Sequence, residues 1–411
     1  MNRTPRAKHP KIREIEGGVT AAMGFSAGGV TAGIKVSGGQ DCGLLASPAP
    51  CSAAGAFTTN AVRASSVDWC ESILPGRAVR AVFANSGNAN ACTGQRGVRD
   101  TKKIAALVGS MLGARPQSVC VASTGVIGHY LPMDKIKKTI PGLFKGAEAS
   151  ARGGSAFAGA IMTTDTKKKE AAVRVETAKG NFTIGGCAKG SGMIHPNMAT
   201  MLSFVTTDAS IDPALLNAIV KSVVDRSFNN LTVDGDTSTN DMVLVLANGV
   251  SGVTVNGAAE AGVFQEALFI VCDSLCKKIA QDGEGATKRV EVRVCGGKTS
   301  GDAKRAAKAI ANSCLVKTAL FGNDPNWGRI LCAVGYSGAG FSKDRLTLSL
   351  CGRRVFKKGR PLPFSAKELS RKMRENVVTI DVDLGLGKEC AVAHTCDLTY
   401  DYIKINAEYH T

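Results

Sequence analysis

The sequence predicts a mixed α/β fold. Strand-like apolar runs end in glycine-rich turns, other segments carry helical spacing with recognisable caps, and short stretches alternate apolar with charged residues. Residues 78–84 lead into the turn-rich stretch 85–94, and 118–122 lead to Thr124-Gly125. Loops of this kind carry function when a rigid scaffold holds them. Asp212 followed by Pro213 opens a helix whose Leu216, Ile219, Val220 and Val223 share one face. Residues 258–280 read as one long helix, broken by Asp282-Gly283-Glu284-Gly285. Beyond that break, Val290, Val292 and Val294 alternate with charged residues, as do Leu346, Leu348 and Leu350 with polar ones, which marks half-buried strands. Ser365 with Glu368 three residues on forms a capping box that opens a helix over 366–374.

With 411 residues the chain exceeds the size at which one core usually stops growing. The break near residue 285 divides it into a core unit, 1–285, and a C-terminal α/β unit, 286–411. The net charge of +17 raises the question of nucleic acid. The basic residues are scattered, however. Short clusters stand at Lys102-Lys103, 135–138, 167–169 and Lys357-Lys358, with no aromatic residues between them to stack bases, so solvated faces or the steering of anionic substrates account for the charge.

Fourteen cysteines are irregularly spaced, several within apolar runs such as Val119-Cys120-Val121 and Leu331-Cys332-Ala333, and read as reduced, buried small hydrophobes. No CxxC pair occurs, and Cys272 and Cys276 have no histidine nearby, so neither zinc nor a redox motif is supported. The cysteine pattern thus gives no ground for expecting a metal or a redox cofactor. No continuous apolar segment is long enough for a signal core or a membrane span, which points to the cytoplasm and away from a membrane. Arg3, Arg6, Lys8, Lys11 and Arg13 lie close together, as in a short targeting tail, but intervening prolines and glutamates weaken that reading.

Other motifs fail on inspection. Gly297-Lys298-Thr299 resembles the end of a phosphate loop, yet Val292 stands where the first glycine belongs. His129, His195, His394 and His410 are too dispersed for a ligand set, and no GxSxG elbow is present. Asp234, Asp236 and Asp241 lack the later carboxylates of a Ca²⁺ loop and read better as a hydrogen-bonded polar turn.

The stretch Lys189-Gly190-Ser191-Gly192-Met193-Ile194-His195-Pro196-Asn197-Met198-Ala199-Thr200 sets a threonine behind a small alanine in a glycine-rich approach. A threonine hydroxyl is a weak nucleophile until a base takes its proton, and a residue's own terminal amine can be that base. Attack of the Thr200 Oγ on the Ala199 carbonyl would give an ester by N-to-O acyl shift. Hydrolysis would then leave Thr200 as a new N-terminus with nucleophile and base on one residue. These residues permit the chemistry without requiring it, and a glycine-rich surface loop is the plain alternative.

This run resembles the signature of the ornithine acetyltransferase family, which makes arginine precursors. Further segments match that family in the same order: Gly17-Gly18-Val19-Thr20-Ala21, Ala84-Asn85-Ser86-Gly87-Asn88-Ala89-Asn90-Ala91, Ser123-Thr124-Gly125-Val126-Ile127-Gly128, Ile161-Met162-Thr163-Thr164-Asp165-Thr166, Asp234-Gly235-Asp236-Thr237-Ser238-Thr239-Asn240-Asp241, Gly283-Glu284-Gly285-Ala286-Thr287-Lys288, Phe321-Gly322-Asn323-Asp324-Pro325-Asn326-Trp327 and Asn406-Ala407-Glu408-Tyr409-His410-Thr411. They span essentially the whole chain.

The resemblance implies a four-layer αββα sandwich shared with a self-cleaving aminopeptidase-like family, and cleavage between Ala199 and Thr200 into fragments 1–199 and 200–411 that assemble as an α2β2 heterotetramer. It also implies acetyl transfer from N2-acetylornithine to glutamate, in which Thr200 carries the acetyl group and Thr124 and Gly125 form the oxyanion hole. Thr163, Lys189, Thr200, Glu284, Asn406 and Thr411 match its substrate-binding positions. Thr163 competes with its neighbour Thr164 for that match, and Lys189 and Glu284, taken singly, read as solvent-facing charges. Some family members also acetylate glutamate with acetyl-CoA as co-substrate, and the sequence leaves that open. Two rivals stand beside this reading: an aminopeptidase or amidase, in which water takes the acyl group, and a basic binding protein without catalysis.

Overall fold

The computed structural model describes residues 10–195 and 201–408. Alternation along the strands up to Ala247 sorts their side chains into three separate cores, and from that the layers follow. In the strand Met242–Ala247, Met242, Leu244 and Leu246 enter a middle core, while Val243, Val245 and Ala247 turn to an outer core. The helices Pro213–Arg226 and Ala258–Gln281 cover that outer core. In the strand Gly76–Asn88, Val79, Val82 and Ala84 face the same middle core from its other side. Ala81 and Phe83 point away, beneath the helices Gly94–Met111 and Met133–Gly146. The order is helices, sheet, sheet, helices: the four-layer αββα sandwich expected from the family resemblance. Phe157 and Phe204 meet edge to face in the middle layer with ring centroids 5.2 Å apart, an arrangement worth about 1 kcal/mol beyond burial.

The two sheets are hydrogen-bonded into one nine-stranded system through the long strand Cys42–Phe57. Its first part pairs with Ser26–Val30 and Gly76–Asn88, and its last part pairs with Met242–Ala247. The register shifts between Ala46 and Cys51, where Pro48 and Pro50 are exposed. Proline has no N–H to give a ladder, so it is tolerated where the strand leaves one sheet for the other.

A six-stranded sheet follows in sequence, running in the order Arg360–Pro361, Arg353–Lys357, Thr347–Leu350, Val377–Asp383, Arg289–Gly297, Glu389–Cys396. Its core is drawn wholly from residues between Val290 and Ala393 and includes Val290, Val292, Val294, Leu346, Leu348 and Leu350. The helix Ser300–Asn312 packs on it and opens with Thr299 and Asp302 in a reciprocal capping box, which is the structural job of the Gly-Lys-Thr turn. A last helix, Tyr400–Glu408, leaves this unit and returns to the sandwich.

Where local signals named an element, they placed it well. Asp212 caps its helix by accepting from the Ala214 N–H, and the long helix runs over Ala258–Gln281. The Ser365 hydroxyl accepts from the Glu368 N–H, and that helix, Ala366–Lys372, stops two residues short of expectation. Three readings are corrected. Cys332, read as buried, is exposed on the helix Trp327–Tyr336. Cys295 and Cys390, read as reduced, are joined in a disulfide, because neighbouring antiparallel strands bring their Cα atoms within 4.1 Å across a register shift. Lys169, read as part of a solvated basic cluster, is 1% exposed, because it begins the strand Lys169–Thr177 and points inward, whereas Lys167 and Lys168 stay exposed. Among the described residues, no helix is long and apolar enough to cross a membrane.

Candidate active site

Strand ends from both sheets converge on a cavity of about 130 Å³. The strand Val119–Val126 carries Thr124 and Gly125 to its wall, and the strand Gly180–Lys189 ends at Lys189. Met201 and Leu202 stand at the start of Leu202–Thr207, and Ser238, Thr239, Asn240 and Asp241 lead into its parallel neighbour, Met242–Ala247. Thr163, Thr164, Gly192, Glu284 and Asn406 are also part of the lining.

Thr124 and Gly125 lie inside the strand, not in a turn after it. Gly125 has φ +128°, and a Cβ there would stand 2.4 Å from the carbonyl carbon of Gly87, so glycine alone lets the strands approach while turning the backbone at this point. The Asn240 amide braces that wall by donating to Ser123 O at 2.8 Å and to Ala89 O at 2.6 Å. Ser123 in turn donates to Asn85 Oδ1 at 2.7 Å. The result is a rigid strand end with a hydroxyl and a glycine at the cavity surface, of the kind that can stabilise an oxyanion.

Charged residues line the same cavity. The Lys189 ammonium donates to the Thr163 hydroxyl at 3.2 Å, and that bond selects Thr163 over Thr164 as the partner. Burial lowers the Lys189 pKa, and Asp165 and Asp241 only partly oppose it. Glu284 is 9% exposed and accepts from the Asn406 amide at 2.8 Å. A Cβ on Gly192 would fall 2.2 Å from the Glu284 carboxylate, so the glycine makes room for that charge. The solvent-facing alternative for Lys189 and Glu284 does not hold: both line the cavity, Glu284 buried and Lys189 half-buried. Asp234 accepts from the N–H groups of Met193, Ile194 and Asp236, the polar turn read from the sequence.

Six of the sequence-derived site residues, Thr124, Gly125, Thr163, Lys189, Glu284 and Asn406, thus line one cavity. Ala199, Thr200 and Thr411 lie outside the described residues. Sequence reasoning passed over Asn240 and Asp241 as site residues, although the Thr-Asn-Asp run that holds them was in view.

The sequence profile of the ArgJ family matches residues 26–411. The chain belongs to the ArgJ family. Among its relatives, the arginine biosynthesis bifunctional protein ArgJ of Symbiobacterium thermophilum is 52% identical over 401 residues, covering 97% of this chain and 99% of that one. That of Thermosynechococcus vestitus is 46% identical over 418 residues, covering 97% and 99%. The crystal structure of arginine biosynthesis bifunctional protein ArgJ from Bacillus halodurans is 45% identical, with a TM-score of 0.50, and covers 51% of this chain and 100% of its own. In the ArgJ family setting, the cavity at the meeting of the two sheets is the candidate active site.

Proposed function

We propose that this chain is an autoprocessed threonine acetyltransferase that moves acetyl from N2-acetylornithine to glutamate. Membership of the ArgJ family makes it an acyltransferase of arginine biosynthesis, of the glutamate N-acetyltransferase type, and disfavours the aminopeptidase and binding-protein readings. The observation that carries the fuller mechanism is one cavity lined both by a strand end with Thr124 and Gly125 and by the polar and charged side chains of Lys189, Thr163, Glu284 and Asn406. Its rim includes Met201, the residue after Thr200.

On this reading, the Thr200 Oγ attacks the acetyl carbonyl as its own α-amine takes the hydroxyl proton. Thr124 and Gly125 hold the developing oxyanion. The C–N bond breaks, the proton passes to the leaving amine, and ornithine departs from an acetyl-threonine ester. The amine of glutamate then attacks that ester, giving N-acetylglutamate and restoring Thr200. Lys189 pairs with the substrate α-carboxylate, and Glu284 with the cationic end of ornithine. Acetyl-CoA is proposed as a second acetyl donor, in keeping with the word bifunctional in the relatives' names.

Cleavage between Ala199 and Thr200 would give fragments 1–199 and 200–411, which we place in a cytoplasmic α2β2 assembly. The Bacillus halodurans chain, matched in full by about half of this one, has the size of such a fragment. The test is a denaturing gel with N-terminal sequencing, beside assays of acetylornithine plus glutamate and of acetyl-CoA plus glutamate. Two fragments, the second beginning Thr-Met-Leu-Ser, are expected from the wild type, and none from Thr200→Ala. An intact wild-type chain with full transfer activity would sink the maturation step, and release of acetate in place of N-acetylglutamate would favour the hydrolase.

A further inference from the structure

Lys169 sits between two carboxylates, its ammonium 2.6 Å from Asp165 Oδ1 and 2.6 Å from Asp282 Oδ2, with all three side chains buried. Taking three charges out of water is costly, and apolar substitutes for such a set are frequently no less stable. The set therefore calls for a reason beyond stability, and its remaining hydrogen bonds supply one. Asp165 accepts from the N–H of Thr163 at 3.0 Å and of Gly190 at 2.7 Å. Asp282 accepts from the N–H groups of Thr166 and Lys167 at 3.0 and 3.2 Å, and from the Thr166 hydroxyl. The Ser191 hydroxyl donates to Asp282 O at 2.6 Å, and the Glu284 N–H donates to Ser191 O at 2.9 Å. Three separate segments of the chain, each bearing a polar side chain of the cavity, are thus tied to a single ammonium.

We propose that Asp165, Lys169 and Asp282 form a charged clamp that positions Thr163, Lys189 and Glu284 relative to one another for the amino-acid substrate. None of the three lines the cavity, so they are positioning residues that act through those that do. The proposal rests on the acetyltransferase reading for its substrate. Asp165 has a second effect, because it is the leading charge that offsets burial at Lys189. The other charged groups facing Lys189 are Asp241, Glu284, Lys169 and Lys35. Neutralising Asp165 removes the strongest support for the Lys189 ammonium, so carboxylate binding fails at a lower pH.

The test uses the full chain with Asp165→Asn and Asp282→Asn, followed by steady-state kinetics and hydrogen exchange. KM for acetylornithine and glutamate should rise about tenfold or more, as for loss of a charged hydrogen bond, with kcat within about threefold. Amides of Thr163, Thr166, Lys167 and Gly190 should exchange faster while the nine-stranded sheet keeps its protection. The basic limb of kcat/KM should move to lower pH in Asp165→Asn. Thr166→Val, at an exposed position, removes one bond and leaves all three charges, so it should give a smaller KM rise in the same direction even where the aspartate variants fold poorly.

Faster exchange spread through the whole sheet, or a kcat loss with KM unchanged, would make the set a plain folding element and overturn the clamp. Unchanged exchange at those four amides would overturn it whatever the activity. A wild type that transfers no acetyl group fails the acetyltransferase reading instead, and the exchange pattern then decides the clamp alone.

Discussion

The Asn406 side-chain amide on the last helix donates to the Glu284 carboxylate at 2.8 Å, joining residues 122 positions apart. One turn earlier, Tyr402 faces Asp234, the carboxylate that holds the Met193 and Ile194 N–H groups. Burial, then the carboxylates of Asp234, Glu284 and Asp236, push the Tyr402 phenol above its ordinary range. Chain ends are usually dispensable, but this helix reaches the cavity. Deleting Asn406 to Thr411 should abolish acetyl transfer while fragment formation continues, and Asn406→Ala should raise KM about tenfold. A truncated chain with full transfer activity would return the segment to an ordinary frayed end, and one that also fails to cleave would make it a support of the fold.

On the proposed pairing with the substrate carboxylate, Lys189 sets a pH dependence whose sign follows from its surroundings. Burial outweighs Asp165 and Asp241, so the ammonium loses its proton below the ordinary lysine value of 10.5. A carboxylate needs that charge: binding is complete at lower pH and weakens as pH rises through the lowered value. The kcat/KM profile should therefore show a basic limb below 10.5 that Lys189→Met lacks. The same limb in both proteins would remove Lys189 from the substrate.

On the proposed mechanism the Thr124 hydroxyl stands where negative charge develops, so its effect should fall on turnover more than on affinity. Thr124→Ala is expected to lower kcat about 10²-fold with KM little changed, as for other oxyanion donors. A rise in KM alone would reassign Thr124 to ground-state binding.

Asn240 tests how far that wall depends on its brace. Asn240→Ala strands two buried carbonyls, Ala89 O and Ser123 O, and should cost about 2 kcal/mol or more of stability. The denaturant midpoint should fall with little change in slope, and kcat should fall with it, because Ser123 immediately precedes Thr124. Unaltered turnover in a destabilised protein would separate the brace from catalysis.

The helix Pro213–Arg226 was legible because its signals are local: a carboxylate caps the first turn, and apolar residues recur at helical spacing. The strand at Val290, Val292 and Val294 was legible for the same kind of reason, period two against one buried face. The site residues were legible in another way, through ordered motifs that resemble a known family, which name positions without showing what those positions touch.

Single-residue reasoning took Lys169 for a solvated charge, and for Lys189 and Glu284 only the family resemblance, not their local setting, pointed away from that reading. Each sits in a polar or glycine-rich neighbourhood in sequence, and its burial comes from partners more than twenty positions away: Asp282 for Lys169, Thr163 for Lys189, Asn406 for Glu284. The Cys295–Cys390 pair was missed on the same ground, because its sulfurs meet only once the strands Arg289–Gly297 and Glu389–Cys396 are paired.

The sequence by itself determined the α/β class, the run of helices and strands, and the motif order that leads to the ArgJ family. Tertiary structure alone decided that two sheets share the strand Cys42–Phe57, that Thr163 and not Thr164 meets Lys189, and that a helix from the far end of the chain reaches Glu284. The division has a physical cause. Caps and periodicities arise between residues a few positions apart, whereas a buried charge keeps its ionised form only when strand register brings it a partner from elsewhere in the chain.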